Sequence, residues 1–238
     1  MEDIDAIAAL QDPVRRRLYE YVVARGREVG RNEAAEATGV ARTLAAHHLD
    51  RLTEAGLLES GSRRLTGRSG PGAGRPAKVY TRVRAERAVS LPARDYRTAA
   101  ELLAEAAEQA GLDTELTTAA RRRGEALRGP AAPCGSLEQA MEALAARGYE
   151  PHLETGEGTA GANDTEGAGE AAGPGTPVVR MRNCPFHAVA ERFPPLVCGM
   201  NLALLEGLLG ADGAVRTRMD ARPGECCVVV EPSKNQSR

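Results

Sequence analysis

Cysteine is the residue type whose placement in this chain asks for chemistry. Four of the five cysteines, Cys184, Cys198, Cys226 and Cys227, fall in the last quarter of the 238 residues, with Cys134 alone upstream. A thiolate is a soft ligand and a nucleophile, so such a group points to zinc, an iron–sulfur core or redox exchange. The gaps are long: 13 residues lie between Cys184 and Cys198, and 27 between Cys198 and Cys226. Zinc sites usually draw on closely spaced Cys-x-x-Cys pairs, so this spacing favours a cluster or plain thiols over a zinc knuckle. The competing reading is an interior strand over Cys226 to Val230, in which buried cysteines pack as small hydrophobes. Alternation along that strand would put Cys226 and Cys227 on opposite faces, with at most one facing a site.

The elements that must hold these residues read as a small α/β unit over 134–238. A helix is expected over Leu137 to Arg147, ending at Gly148, then strands at Tyr149 to Glu154 and Val178 to Arg182. Thr155 to Pro177 carries seven glycines and few apolar residues, which predicts a disordered loop. A helix from about His187 is interrupted by Pro194-Pro195, a second runs from Val197 to Leu209, and Val215 to Asp220 with Cys226 to Val230 forms a hairpin about Pro223-Gly224. Upstream, 95–133 reads as a helical linker, helical over 95–128, its Ala-rich amphipathic pattern suited equally to a dimerisation region pairing two protomers and to packing against its own domain.

The first 94 residues carry a different signal. Asp12-Pro13 reads as an N-cap followed by Pro at the first helical position, and Gly26 as that helix's stop. A short helix over Arg31 to Ala37, a turn at Thr38-Gly39-Val40 and a helix over Ala41 to Ala55 make a helix-turn-helix. In the last of these, Ala45, Leu49 and Leu52 face inward, while Thr43, Ala46, His47 and Arg51, with Arg42, are offered to a major groove. His48 lies toward the buried edge. Strands Glu59 to Thr66 and Lys78 to Val83 then flank a Gly-rich wing loop bearing Arg68 and Arg75, which with Lys78 are placed to meet phosphates or a minor groove.

Charge agrees with this division. Residues 1–96 hold 17 Lys and Arg against 13 Asp and Glu, whereas the remainder holds 14 against 20. Between residues 60 and 87 eight basic residues meet one acidic residue, a positive stretch that suits a phosphate backbone. No apolar run approaches the roughly 20 residues needed to cross a bilayer, and the acidic N-terminus lacks a signal-peptide pattern, so a cytoplasmic location with reduced thiols is expected. No Ser-His-Asp set, phosphate loop or paired carboxylates appear, which argues against an enzyme. The fold class expected is α+β.

Three stretches resemble winged helix-turn-helix regulators of the ArsR-like and MarR-like kind: Leu10 to Leu18, Ala34 to Val40 and His47 to Leu58, with Gly74 to Tyr80 similar to that family's wing. Over residues 5 to 230 the chain looks like the SufR-type regulators, matching at Asn183-Cys184-Pro185, Val197-Cys198 and Gly224-Glu225-Cys226. That resemblance implies a [4Fe-4S] cluster with Cys184, Cys198 and Cys226 as ligands, and a homodimer on a palindromic double-stranded DNA operator. The family's further cysteine falls near Ala211-Asp212, where this chain has none. The fourth ligand is left open among Cys227, His187, a small molecule and an open iron site. A regulator sensing zinc or an organic ligand, with no cluster and the cysteines as core or redox thiols, is the alternative.

Overall fold

The computed structural model describes residues 2–63, 76–155 and 176–233. These divide into two compact units, residues 1–94 and 95–238. The architecture is α+β in both. Arg68, Arg75 and residues 156–175 of the Gly-rich loop lie outside the described residues.

In the first unit, α1 (Glu2–Ala9) precedes α2 (Pro13–Arg25). The α2 start follows from side-chain chemistry: the Asp12 carboxylate accepts from the Val14 and Arg15 amides, both at 2.9 Å, and Pro13 has no amide to leave unpaired. β1 (Val29–Gly30), α3 (Arg31–Thr38) and α4 (Arg42–Glu54) follow, then β2 (Leu58–Arg63) and β3 (Ala77–Arg82). Gly39 turns α3 into α4 at φ 69°, a left-handed backbone that side chains other than glycine resist. The strands form an antiparallel sheet in the order β1-β3-β2. Leu18, Ala45, Leu49, Leu52 and Tyr80 are fully buried in one core, each buried leucine contributing about 1.5–3 kcal/mol relative to exposure.

The second unit takes in the helices of 95–133 as well as the cysteine-bearing region. The segment expected as one helical stretch is two, α5 (Tyr96–Gln109) and α6 (Asp113–Arg128), broken where Gly111 adopts φ 65°. Then come α7 (Leu137–Ala145), β4 (Pro151–Glu154), β5 (Val178–Met181), α8 (His187–Ala190), α9 (Pro194–Leu209), β6 (Val215–Met219) and β7 (Val228–Pro232). The four strands make an antiparallel sheet in the order β4-β5-β7-β6. Pro194-Pro195 does not interrupt a helix; it opens α9, because proline at the first helical turn sacrifices no hydrogen bond.

Helix α9 is apolar on most of its circumference because it is covered on two sides. Leu205, Leu208 and Leu209 pack with Val179, Val228, Val230 and the α7 residues Ala140 and Leu144. On another side it crosses α6 at backbone distance. A methyl group added at Gly207 would lie 3.0 Å from the Glu125 amide nitrogen and closer still to the Arg121 carbonyl oxygen. One added at Gly124 would lie 2.7 Å from the Leu208 amide nitrogen.

The sheet's other face is ionic. Arg180, 2% exposed, donates to Glu154 at 2.7 Å and to Asp220 at 2.5 Å, while buried Glu231 accepts from Arg218 at 2.8 Å. Buried charges persist only when paired in this way.

Candidate functional site

In the first unit α4 presents Arg42, Thr43 and His47 to solvent and leaves Ala46 half-buried, as its inward face predicts. Arg51 is exposed and bonded to Glu54 at 2.8 Å. Leu44, 42% exposed on the same helix, adds an apolar side chain to that outward face, and sequence periodicity alone had not drawn attention to it. His48 is buried, and that burial together with Arg15, whose Nε lies 3.5 Å from Nδ1, holds its pKa below the ordinary imidazole value.

Beside α4 lies a cleft of about 750 Å³ lined by Arg31, Asn32, Arg42, Ser60, Ser62 and Lys78 among others. The amides at the starts of α3 and α4 have no side-chain cap, in contrast to α2. Lys78, expected as a phosphate contact, is only partly exposed because its Nζ donates to Asp50 at 2.7 Å. The Tyr80 hydroxyl donates to the same carboxylate oxygen at 2.6 Å and accepts from Arg31 Nε at 3.1 Å. Burial works against ionising Asp50, but the bonds from Lys78 and Tyr80 outweigh it and keep its pKa low. Asp50 thus ties the outward helix to the wing strand and, through Tyr80, to α3.

Two comparisons, with curated proteins and with solved structures, gave no match. A family of helix-turn-helix domains matches residues 10–61, which span α2 to β2. The first unit is a helix-turn-helix domain. That match supports a DNA-binding regulator. Among the described residues no helix is long and apolar enough to cross a membrane.

In the second unit the four late cysteines come together from three places. Cys184 sits in the turn after β5, where its carbonyl accepts from the His187 amide at 3.0 Å and the neighbouring Asn183 side chain donates to Gly148 O at 2.6 Å. Cys198 lies on α9. Cys226 and Cys227 precede β7; the Cys226 amide donates to Met181 O and the Cys227 carbonyl accepts from Asp220, both at 2.8 Å. The alternation argument therefore does not apply to them: pairing with β5 and β6 starts the strand at Val228, and both thiols reach the same group.

The thiols form a chain of neighbours, Cys184 to Cys226, Cys226 to Cys227 and Cys227 to Cys198. Hydrogen bonds from Cys184 and Cys227, with the Val228 amide and Asn201 adding to them, hold Cys226 far below the ordinary thiol range. Donation to that thiolate, reinforced by burial, pushes the Cys184 and Cys227 thiols up. His187 instead faces Glu191 at 3.3 Å and is 62% exposed. Cys134 stands apart, half-buried, with burial raising its pKa.

Among the described residues no three His, Cys, Asp or Glu side chains converge as a single metal ion requires. Four free thiols from three segments far apart in sequence nonetheless make a soft donor set of the kind an iron–sulfur core takes.

One further residue, which no sequence pattern marked, belongs to this site. Asn201 of α9 is fully buried; its Nδ2 donates to Cys226 Sγ at 3.4 Å and its Oδ1 accepts from the Tyr149 hydroxyl at 2.5 Å. A polar residue at a buried position of an apolar helix was the available signal.

Proposed function

We propose that the chain is a DNA-binding transcriptional regulator in which Cys184, Cys198, Cys226 and Cys227 hold an iron–sulfur cluster, of the [4Fe-4S] kind, that modulates operator binding. The observation that carries the reading is the gathering of four thiols from three sequence-distant segments in a chain that also carries a helix-turn-helix domain. Soft, deprotonatable donors suit an iron–sulfur core, and their long spacing in sequence departs from the close Cys-x-x-Cys pairs of zinc sites. Bound there, the group would supply an oxygen- and redox-sensitive core. The residues' own part is to hold Cys226 buried with its sulfur accepting from Asn201, whose amide oxygen is in turn bonded by Tyr149.

On the DNA side, Arg42, Thr43, Ala46, His47 and Arg51 read the major groove, with Lys78 of the wing on the phosphate backbone. A homodimer completes the reading, since two heads on a palindrome read two half-sites. Leu102 and Leu103, 62% and 72% exposed on α5, offer apolar surface for a second copy.

The test is anaerobic reconstitution of the full-length chain with ferrous iron and sulfide, followed by metal and sulfide analysis and DNA binding with and without the cluster. A brown protein with iron and sulfide in equal amounts, and a colourless Cys184→Ser, Cys198→Ser variant, is the expected result. A colourless wild-type product, or one that retains only zinc, overturns the cluster reading while leaving the DNA reading to be judged by its own titration.

A further inference from the structure

The buried pair Asn201 and Tyr149 does something that packing does not require. Asn201 lies on α9, where Leu196, Val197, Ala203 and Leu205 are all buried apolar side chains, and a leucine would fill a similar volume without any polar group to satisfy. A buried amide costs free energy unless both of its ends are bonded. Here they are, and the two bonds point in different directions: one N–H to the Cys226 sulfur, the carbonyl oxygen to the Tyr149 hydroxyl.

The direction of the amide is therefore determined. The Tyr149 hydroxyl, able to donate or accept, donates to the Asn201 oxygen at 2.5 Å because the NH₂ group is turned to the sulfur. The reversed amide would aim its carbonyl oxygen at the sulfur, a repulsive contact once that sulfur is a ligand thiolate with no proton to donate. Tyr149 is itself buried and follows Gly148, whose carbonyl receives the Asn183 side chain next to Cys184. One short segment after α7 thus braces Cys226 through Asn201 and the Cys184 turn through Asn183.

We propose that Asn201 is a positioning residue that sets the electronic state of the cysteine site by an N–H···S hydrogen bond to Cys226, with Tyr149 as the clamp that orients its amide. This deepens the cluster reading and rests on it. A hydrogen bond to a ligand sulfur stabilises the more negative, reduced state and so raises the reduction potential of a bound cluster; its removal lowers that potential.

The experiment is a potentiometric titration of the reconstituted full-length protein, followed by absorbance and electron paramagnetic resonance, for wild type, Asn201→Leu, Tyr149→Phe and the double variant. Asn201→Leu alone leaves the Tyr149 hydroxyl buried without a partner. The double variant removes both polar ends together and is the one expected to keep the wild-type thermal midpoint of the apoprotein. The expected order of potentials is wild type highest, Tyr149→Phe intermediate, and Asn201→Leu and the double variant equally low. Equal potentials in wild type and the double variant, with the cluster intact in both, overturn the role of Asn201 and leave the cluster reading standing. A wild-type protein that takes up no cluster overturns both.

Discussion

The crossing of α6 and α9 gives a prediction in which two effects of opposite sign can be separated. Replacing Gly207 by alanine in mid-helix removes backbone freedom from the unfolded chain and by itself favours α9 by about 1 kcal/mol. The added methyl group, however, would sit 3.0 Å from the Glu125 amide nitrogen and nearer to the Arg121 carbonyl oxygen. Comfortable carbon contacts begin at about 3.5 Å. What it meets is the backbone of the facing helix, which cannot rotate aside as a side chain can. The helices must move apart by on the order of an ångström, loosening packing along the whole crossing, and overpacking of this kind costs about 1–3 kcal/mol or more. Repulsion wins, and the net loss expected is about 2 kcal/mol, or a fall of about 4–8 °C in the melting midpoint of a unit this size.

Gly199 supplies the control. It lies on the same helix, but a methyl group there finds only the Thr117 Cγ2 atom, at 4.0 Å. Gly199→Ala should therefore show the propensity gain alone and be neutral or slightly stabilising. Both variants are compared with wild type by urea unfolding followed by circular dichroism. If Gly207→Ala proves as stable as Gly199→Ala, the close crossing is not what holds α6 against α9, and the reasoning fails.

Other outcomes follow from the same geometry. Asp12→Ala removes the acceptor of two amides at the start of α2 and should cost the helix-turn-helix unit about 0.5–2 kcal/mol, read by chemical unfolding; Asp12→Ser should recover most of it. Lys78→Ala should weaken DNA binding equally for specific and random sequences and reduce the slope of log affinity against log salt by about 1, whereas His47→Ala should weaken the specific site preferentially. An unchanged slope would place Lys78 off the phosphates, held by Asp50 in the complex as in the free chain. Burial keeps His48 and His152 below the ordinary imidazole pKa. A group with a lowered folded value stabilises fully above its unfolded value and loses that contribution as pH falls, so stability should decline from about pH 6.5 downward. His48→Gln should flatten that decline for the first unit. In the second unit, bonds from Arg180 and Arg222 outweigh burial to hold Glu154 low, and burial opposes but Arg180 and Arg218 prevail at Asp220, so a further loss should begin near pH 4.

The parts legible in the sequence were those governed by local chemistry. Asp12-Pro13 announces a helix start because capping involves neighbouring residues alone, and Gly39 announces a turn because its backbone angle excludes side chains. The outward set Arg42, Thr43 and His47 followed from helical period, since α4 buries one face and no more. What stayed hidden depended on distant partners. The start of β7 at Val228 is set by pairing with Met219 of β6, so residue spacing could not tell that Cys226 and Cys227 stand outside the strand and both reach other cysteines. Lys78 looked like a free cation because Asp50, 28 residues earlier, is no neighbour until the sheet forms. Tyr149 and Asn201 carry no motif, and their pairing across 52 residues exists in space alone.

Helix α5, by contrast with α9, buries none of its residues. Ala104 and Ala107 rest on the small cluster around Phe193, Glu101 pairs with Arg192, and Tyr96, Leu102 and Leu103 look outward. A helix of 14 residues has little stability of its own in water. Amide protons of α5 should accordingly exchange with solvent through local fraying, while those of α9 wait for the unit to unfold as a whole. In a time course of deuterium uptake the chain directly after Arg94 would fill early and α9 last. Such a gradient makes α5 the segment where a modest input of binding energy produces the largest change in order.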